Sequence, residues 1–188
     1  GEDFQIFERD LPGENTAGFS KGQTVSGKLP LETCQTMNGM WGYKVADQNY
    51  KSTEYLIRYL LSIACKGANL LLNIGPQPNG ELPATALERL KEMGEWLRKY
   101  GDTVYGTTAG DIQAQDWGVT TRKGNRLFVH IFNLKEKELK LPLSCKVEKA
   151  YTFEDKKDVK FVATENGVTL KLDTVPSGID YIVELITK

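Results

Sequence analysis

The stretch 29–43, LPLETCQTMNGMWGY, has neither a clean helical nor a clean strand period, but from residue 52 to 101 the apolar positions follow a helical period, interrupted by one short unbroken apolar run. Residues 52–67, STEYLIRYLLSIACKG, place Leu56, Ile57, Leu60, Leu61, Ile63 and Ala64 in a broad stripe, with Ser52 or Thr53 as N-cap and Gly67 as the stop. A stripe that wide predicts a helix buried on more than one side. The run NLLLNIG, 69–75, follows at once and does not alternate, which predicts a parallel strand covered on both faces. Loop residues GPQPNGELP come next, then a second helix opened by Pro83, carrying Leu87, Leu90, Met93, Leu97 and Tyr100, and ended by Gly101. Helix, buried strand, loop, helix is the order of an α/β sheet or barrel.

After about residue 109 the period shortens to two. The segments WGVTTRKGNRLFVHIFN, KELKLPL, KVEKAYTF, VKFVA, NGVTLKLD and IDYIVELIT are strand-like, and turn signals such as Lys123-Gly124-Asn125 and Asn166-Gly167 separate them. Short strands at roughly ten-residue spacing predict an antiparallel β-sandwich. The expected organisation is therefore α/β plus all-β, with residues 1–108 as an α/β domain and 109–188 as a sandwich domain. An α/β part of that length holds two or three strand–helix units, whereas a closed eight-stranded barrel takes about 250 residues. If it belongs to a barrel, most of that barrel lies outside these 188 residues.

Composition narrows the partners. The formal net charge is -1, and no stripe of Lys and Arg interleaves with aromatics, so nucleic acid is not an expected partner. No apolar run reaches the roughly 18 residues of a membrane span, so membrane insertion is not expected either. The opening GEDFQIFERD lacks both the basic end and the apolar middle of a signal peptide, and there is no initiating Met, so the chain is expected to be part of a longer polypeptide. Cys34, Cys65 and Cys145 are odd in number and widely spaced, which fits buried small hydrophobes rather than a disulfide framework, and no metal-ligand spacing is present. The single histidine, His130, lies in RLFVHIF and reads as a sheet residue.

Four places hold candidate chemistry. The loop 75–81 sits where phosphate loops sit, but Glu81 replaces the gripping Lys and Pro76 and Pro78 remove amide donors, so a plain turn is expected. Asn73, near the carboxyl end of the buried strand, stands either where barrel enzymes place site residues or as a hydrogen-bonding partner of a neighbouring loop. In FERDLPGENTAGF, Glu8, Arg9, Asp10 and Glu14 surround Pro12 and Gly13; Arg9 could turn its fork of donors on sugar hydroxyls or a carboxylate, or be solvated. In LPLETCQTMNGMWGY, Glu32 precedes Trp41-Gly42-Tyr43 by nine residues. A carboxyl group among aromatic planes suits sugar cleavage, because rings pack on apolar sugar faces and an apolar surrounding helps a carboxyl hold its proton. The same residues also fit a rim carboxylate beside a core tryptophan.

LPLETCQTMNGMWGY, KGANLLLNIGPQPNGELP and LERLKEMGEWLRKYGDTVYGT, in that order and spacing, resemble the carboxyl-terminal part of an α-L-fucosidase of glycoside hydrolase family 29. The family's first motif usually reads Trp-Glu-Thr-Cys and then Ser-Trp-Gly-Tyr; here Leu31 replaces the Trp and Met40 precedes Trp41. The resemblance implies an incomplete (β/α)8 barrel followed by a β-sandwich, in a retaining exo-glycosidase that removes terminal α-L-fucose from glycans without a cofactor. It implies that Glu32 is the acid/base, that Arg9 and Trp41 bind the fucose ring, and that Tyr43 and Asn73 are further substrate-binding positions. The nucleophilic Asp and the fucose-gripping histidines would lie upstream, leaving Asp10 and Asp47 as loop residues and the isolated chain inactive. The implied partners are a fucosylated glycan and the upstream part of the barrel, and the implied location is periplasmic or secreted. The alternative from the residues alone is a carbohydrate-binding or buttressing sandwich, with Trp117, Tyr151 and Phe153 as a sugar platform.

Overall fold

A computed structural model describes residues 3–16 and 18–188; Gly1 and Glu2, the first two residues of the opening GEDFQIFERD, lie outside the described residues, as does Ala17. Two compact units divide the chain, Gly1–Gly101 and Asp102–Lys188.

The first unit holds a three-stranded parallel sheet in the order β1 (Gln5–Glu8), β2 (Leu31–Thr36), β3 (Ala68–Asn73), with helices α1 (Thr53–Ala64) and α2 (Ala84–Tyr100). Ser52 caps α1 by accepting the Tyr55 amide, and Gly101 follows the last residue of α2. Register fixes which side chains share a face, because paired residues in a parallel ladder point the same way and alternate along each strand. Phe7, Thr33 and Gln35 fall on one face and are buried. The Tyr59 hydroxyl from α1 reaches Gln35 on this side. The opposite face carries Ile6, Glu8, Glu32, Cys34, Thr36, Asn69, Leu71 and Asn73. This face is open: Leu71 is 47% exposed and Asn69 is exposed. Among the described residues, therefore, β3 is not covered on both faces as expected, since Asn69 and Leu71 are left exposed. The stripe expected on α2 is also rotated. Ala86, Met93 and Trp96 are the buried positions, while Leu87 is 50% and Leu90 39% exposed.

The second unit is a β-sandwich. One sheet has the order β4 (Thr108–Ala109), β5 (Gly118–Lys123), β6 (Arg126–Ile131), β11 (Tyr181–Thr187), β8 (Val147–Thr152); the other has β7 (Glu138–Leu141), β10 (Gly167–Lys171), β9 (Lys160–Thr164). Adjacent strands in both sheets are antiparallel. Leu127, Val129, Val183 and Leu185 of the first sheet and Leu139, Leu141, Val168 and Leu170 of the second meet in one apolar core. Residues 102–108 go with this unit rather than with the α/β part, because Asp102 pairs with Lys123 and Arg126, and the Thr103 carbonyl accepts from Thr121. Two of the three aromatics expected as a sugar platform make packing contacts: Trp117 rests against the core, and Phe153 meets the fully buried Phe128 edge-on at 5.8 Å, while Tyr151 is half-buried. Of the three cysteines only Cys65 is buried; Cys34 and Cys145 are half-buried, and Cys145 lies 3.7 Å from both Arg122 and Asp111.

His130 stands in β6, fully buried. Its Nδ1 is 2.8 Å from Asp180 Oδ2, and its Nε2 is 3.2 Å from Thr121 Oγ1. Thr121 donates its hydroxyl proton to the Thr103 carbonyl at 2.7 Å, so Nε2 serves as the donor to Thr121, and one proton is shared between Nδ1 and Asp180.

Arg126 bridges Asp102 at 2.7 Å and Glu184 at 2.5 Å, and Lys156 adds a second cation to Glu184. Hydrogen bonds from Lys123 and then Arg126 hold the Asp102 carboxyl below its ordinary value of 3.8. Burial pushes Glu184 up, but hydrogen bonds from Arg126 and Lys156 outweigh it and leave the group below its ordinary 4.5. Carboxyls depressed in the folded state contribute stability that is present above those ordinary values and lost as pH falls through the folded ones. Urea midpoints should thus fall on acidification below about pH 4, and Arg126→Met should flatten that dependence. A variant with the wild-type slope would assign the acid sensitivity elsewhere.

Candidate active site

Open α/β sheets bind ligands beyond the carboxyl ends of their strands, and in this chain those ends are Glu8, Thr36 and Asn73. Glu8 ends β1 on the open face, and its Oε1 accepts the indole N–H of Trp41 at 3.1 Å. Gly18, at φ 56°, lies against the Glu8 side chain: a Cβ there would come within 2.6 Å of Glu8 Oε2 and 3.2 Å of Glu8 Cβ, and the left-handed backbone itself favours glycine. Arg9 follows with φ 63°, a left-handed conformation uncommon for a residue with a side chain. Its amide donates to the Cys34 carbonyl at 2.8 Å, and its own carbonyl accepts the Tyr59 hydroxyl at 2.8 Å, which holds the backbone there. The turn aims the guanidinium at the loop after β2. Nη2 donates to the Gly39 carbonyl at 3.1 Å, and Cζ lies 5.2 Å from the centre of the Trp41 ring.

The loop carrying Trp41 has no regular secondary structure, yet each carbonyl from 36 to 41 has a donor. Lys51 Nζ donates to Thr36 O and Asn38 O, each at 2.8 Å, and the Lys51 amide donates to Met37 O at 2.9 Å. Gly39 O takes Arg9, Met40 O takes the Thr36 hydroxyl at 2.9 Å, and Trp41 O takes Asn73 Nδ2 at 2.7 Å. The amides of Gly39 and Met40 both donate to Asp47 Oδ2, at 2.9 and 2.7 Å. Beyond the loop, the chain after β3 packs so closely that a Cβ on Gly75 would lie 2.5 Å from the Tyr43 nitrogen and 2.6 Å from the Gly42 carbonyl carbon. Gly75→Ala must therefore displace backbone. It is expected to lose roughly 2 kcal/mol or more, in the upper range for overpacking, read as a lowered urea midpoint. An unchanged midpoint would mean that the loop does not depend on this contact.

The structure thus brings together Arg9, Trp41 and Asn73 of the expected set. Arg9 and Trp41 touch directly, and Asn73 reaches them through the Trp41 carbonyl. Tyr43 enters through its backbone against Gly75. Glu32 shares the open face with Glu8 but pairs with Ile6, one layer nearer the amino ends; Cys34, two residues further along β2, is the residue opposite Glu8. At about 3.3 Å per residue that layer lies roughly 7 Å deeper, and Glu32 is not part of the Trp41–Arg9 group. The carboxylate that is part of it, Glu8, was visible in the sequence only as one of four charges in a Pro/Gly loop. That it is the last residue of a parallel strand emerges only in the structure. Asp10 and Asp47 hold backbone instead: Asp10 accepts the amide and hydroxyl of Thr16. Among the described residues no cluster of three or more His, Cys, Asp or Glu is arranged to hold a metal, and no helix is long and apolar enough to cross a membrane.

A parallel α/β unit that collects a carboxylate, a guanidinium and an indole at its strand carboxyl ends, followed by a β-sandwich, defines a class: an α/β ligand site with an appended sandwich. The sequence profile of the alpha-L-fucosidase family matches residues 1–102. The chain belongs to that family. It is similar to the plasma alpha-L-fucosidase of Rattus norvegicus, at 33% identity over 62% of this chain and 26% of that protein. Alpha-L-fucosidase isoenzyme 1 from Paenibacillus thiaminolyticus shares its fold with a TM-score of 0.83 and 30% identity, over 99% of this chain and 45% of that one. The Thermotoga maritima alpha-fucosidase in complex with fucose matches with a TM-score of 0.71 and 28% identity, over 85% of this chain and 40% of that one. The chain spans about a quarter of the length of such curated relatives.

Proposed function

We propose that this chain is the carboxyl-terminal part of a retaining α-L-fucosidase, in which β1–β3 are consecutive strands of a (β/α)8 barrel whose other strands lie upstream. The reading rests on one observation above all: in a member of the fucosidase family, the carboxylate of Glu8 is held by the indole of Trp41 beside Arg9, at the carboxyl ends of parallel strands. The open face of the sheet and its two edge strands support it, since barrel closure would cover both.

In this reading Glu8 is the acid/base. It protonates the glycosidic oxygen as the upstream Asp attacks the anomeric carbon, then takes a proton from the water that releases fucose. The Trp41 N–H orients the carboxyl group. The guanidinium of Arg9, fixed by Gly39 and the indole, offers its remaining donors to fucose hydroxyls. Asn73 holds the Trp41 backbone. Glu32, the carboxylate matched by the family motif, lies a layer deeper and is the competing candidate.

The test is hydrolysis of an aryl α-L-fucoside by the longer polypeptide that contains this chain, with the first-formed anomer followed by NMR. Release of fucose with retained configuration, and no turnover by residues 1–188 alone, are expected. Inversion, or turnover by the isolated chain, would contradict the proposal.

A further inference from the structure

Glu8 takes its hydrogen bond from the Trp41 indole, and the turn that leads into Trp41, residues 36–40, is gathered largely by Lys51 and Asp47. Three consecutive carbonyls, those of Thr36, Met37 and Asn38, converge on Lys51, two on its ammonium group and one on its amide. The next two amides, those of Gly39 and Met40, converge on one oxygen of Asp47. The peptide groups of a short irregular turn are thus gathered by a cation on their carbonyl side and an anion on their amide side. Trp41 is the next residue along the chain.

Lys51 is an expensive choice for this task. Its ammonium group is half-buried, and burial, followed by the neighbouring charge of Arg9, pulls its pKa down, with Asp47 acting in the opposite direction. A turn needing only stability could use neutral donors. Two opposite charges hold it to one geometry, because a shift of the turn leaves a partly buried charge without its hydrogen bonds. Two outputs depend on that geometry: the Gly39 carbonyl that fixes Arg9, and the Trp41 N–H that fixes Glu8.

We infer that Lys51 and Asp47 are positioning residues for the fucoside site, setting the 36–40 turn so that Trp41 and Arg9 meet Glu8 in the reactive arrangement. The inference rests on the reading of Glu8, Arg9 and Trp41 given above. It predicts coupling through the indole. In the full enzyme, Lys51→Met lowers kcat/KM by about 10²-fold, the cost of a small misplacement at a reacting group. In the Trp41→Phe background, where the N–H to Glu8 is already gone and only the Arg9–Gly39 contact is left to lose, the same substitution costs clearly less than that, because coupled losses do not add. Asp47→Asn, which keeps the size of the side chain and one acceptor, behaves in the same way and decides the matter if Lys51→Met does not fold.

Equal losses in both backgrounds would make Lys51 a merely structural residue and overturn the inference, as would wild-type kinetics in either folded variant. If Glu8→Gln and Trp41→Phe themselves leave hydrolysis untouched, it is the reading of the site that fails. If those two cut hydrolysis while Lys51→Met and Asp47→Asn do not, only the positioning role fails.

Discussion

Glu8→Gln in the full enzyme is expected to cut hydrolysis of an α-L-fucoside with a poor leaving group by about 10²–10⁴-fold, the usual cost of a lost general acid. The same variant should lose much less on an activated aryl fucoside, whose leaving group departs without a proton. The expectation follows from placement. A carboxylate can act on a sugar only where the sugar can reach it, and Glu8 is at the strand end with an indole donor on one oxygen and a guanidinium in the next residue. Glutamine keeps the shape and can still accept from Trp41, so the loss reports the missing proton rather than a collapsed loop. Steady-state rates for Glu8→Gln and Glu32→Gln, each on both substrates, separate the two carboxylates. A leaving-group-dependent loss confined to Glu32→Gln would move the acid one layer down β2.

The largest effect on stability is expected at His130. His130→Ala removes the hydrogen-bond partner of Asp180 Oδ2, on a carboxyl group whose Oδ1 has none among the described residues. Both residues have fully buried side chains. Breaking a buried pair by deleting one member costs about 3–5 kcal/mol, because the other is left uncompensated. Thr121 loses its Nε2 partner at the same time. Urea unfolding of the chain should show a loss of that order, in the transition that reports the sandwich. A loss below about 1 kcal/mol, the size of an ordinary net hydrogen bond, would mean that Asp180 finds another partner.

The sandwich was legible because its strands obey a two-residue period and its turns carry glycine: KELKLPL becomes β7 with strictly alternating burial, and Lys123-Gly124-Asn125 closes the β5–β6 hairpin. The helices were legible from their caps, Ser52 above all. The failures share one cause. Periodicity shows which residues are apolar, not which neighbours a chain supplies. Leu71 on β3 and Leu87 and Leu90 on α2 were placed in a core, but the described residues leave them exposed. His130 was rightly read as a sheet residue, yet its partner Asp180 is fifty positions away and follows a turn, so no local pattern joined them.

At the site, residue types were legible and depth was not. Arg9 follows β1, Trp41 lies in the loop after β2 and Asn73 ends β3, and the structure brings the three together. Glu32 and Glu8 look alike in sequence, a Glu in or beside an apolar stretch. They differ in where β1 and β2 fall relative to each other, a matter of register set by the pairing of Glu8 with Cys34 and of Ile6 with Glu32. Lys51 was missed because a lone lysine between two loops carries no pattern; only three carbonyls converging on it reveal its task.

The central claim, that Glu8 is the acid/base of a retaining site, is tested most directly by azide. A small anion can attack a glycosyl-enzyme from the face that the missing carboxylate has vacated, so it restores turnover where an acid/base has been lost and the nucleophile remains. With Glu8→Gln, an activated aryl α-L-fucoside and added azide, the account predicts partly restored turnover and α-L-fucosyl azide, the product of two inversions. Formation of the β-azide, or no response to azide, would contradict it.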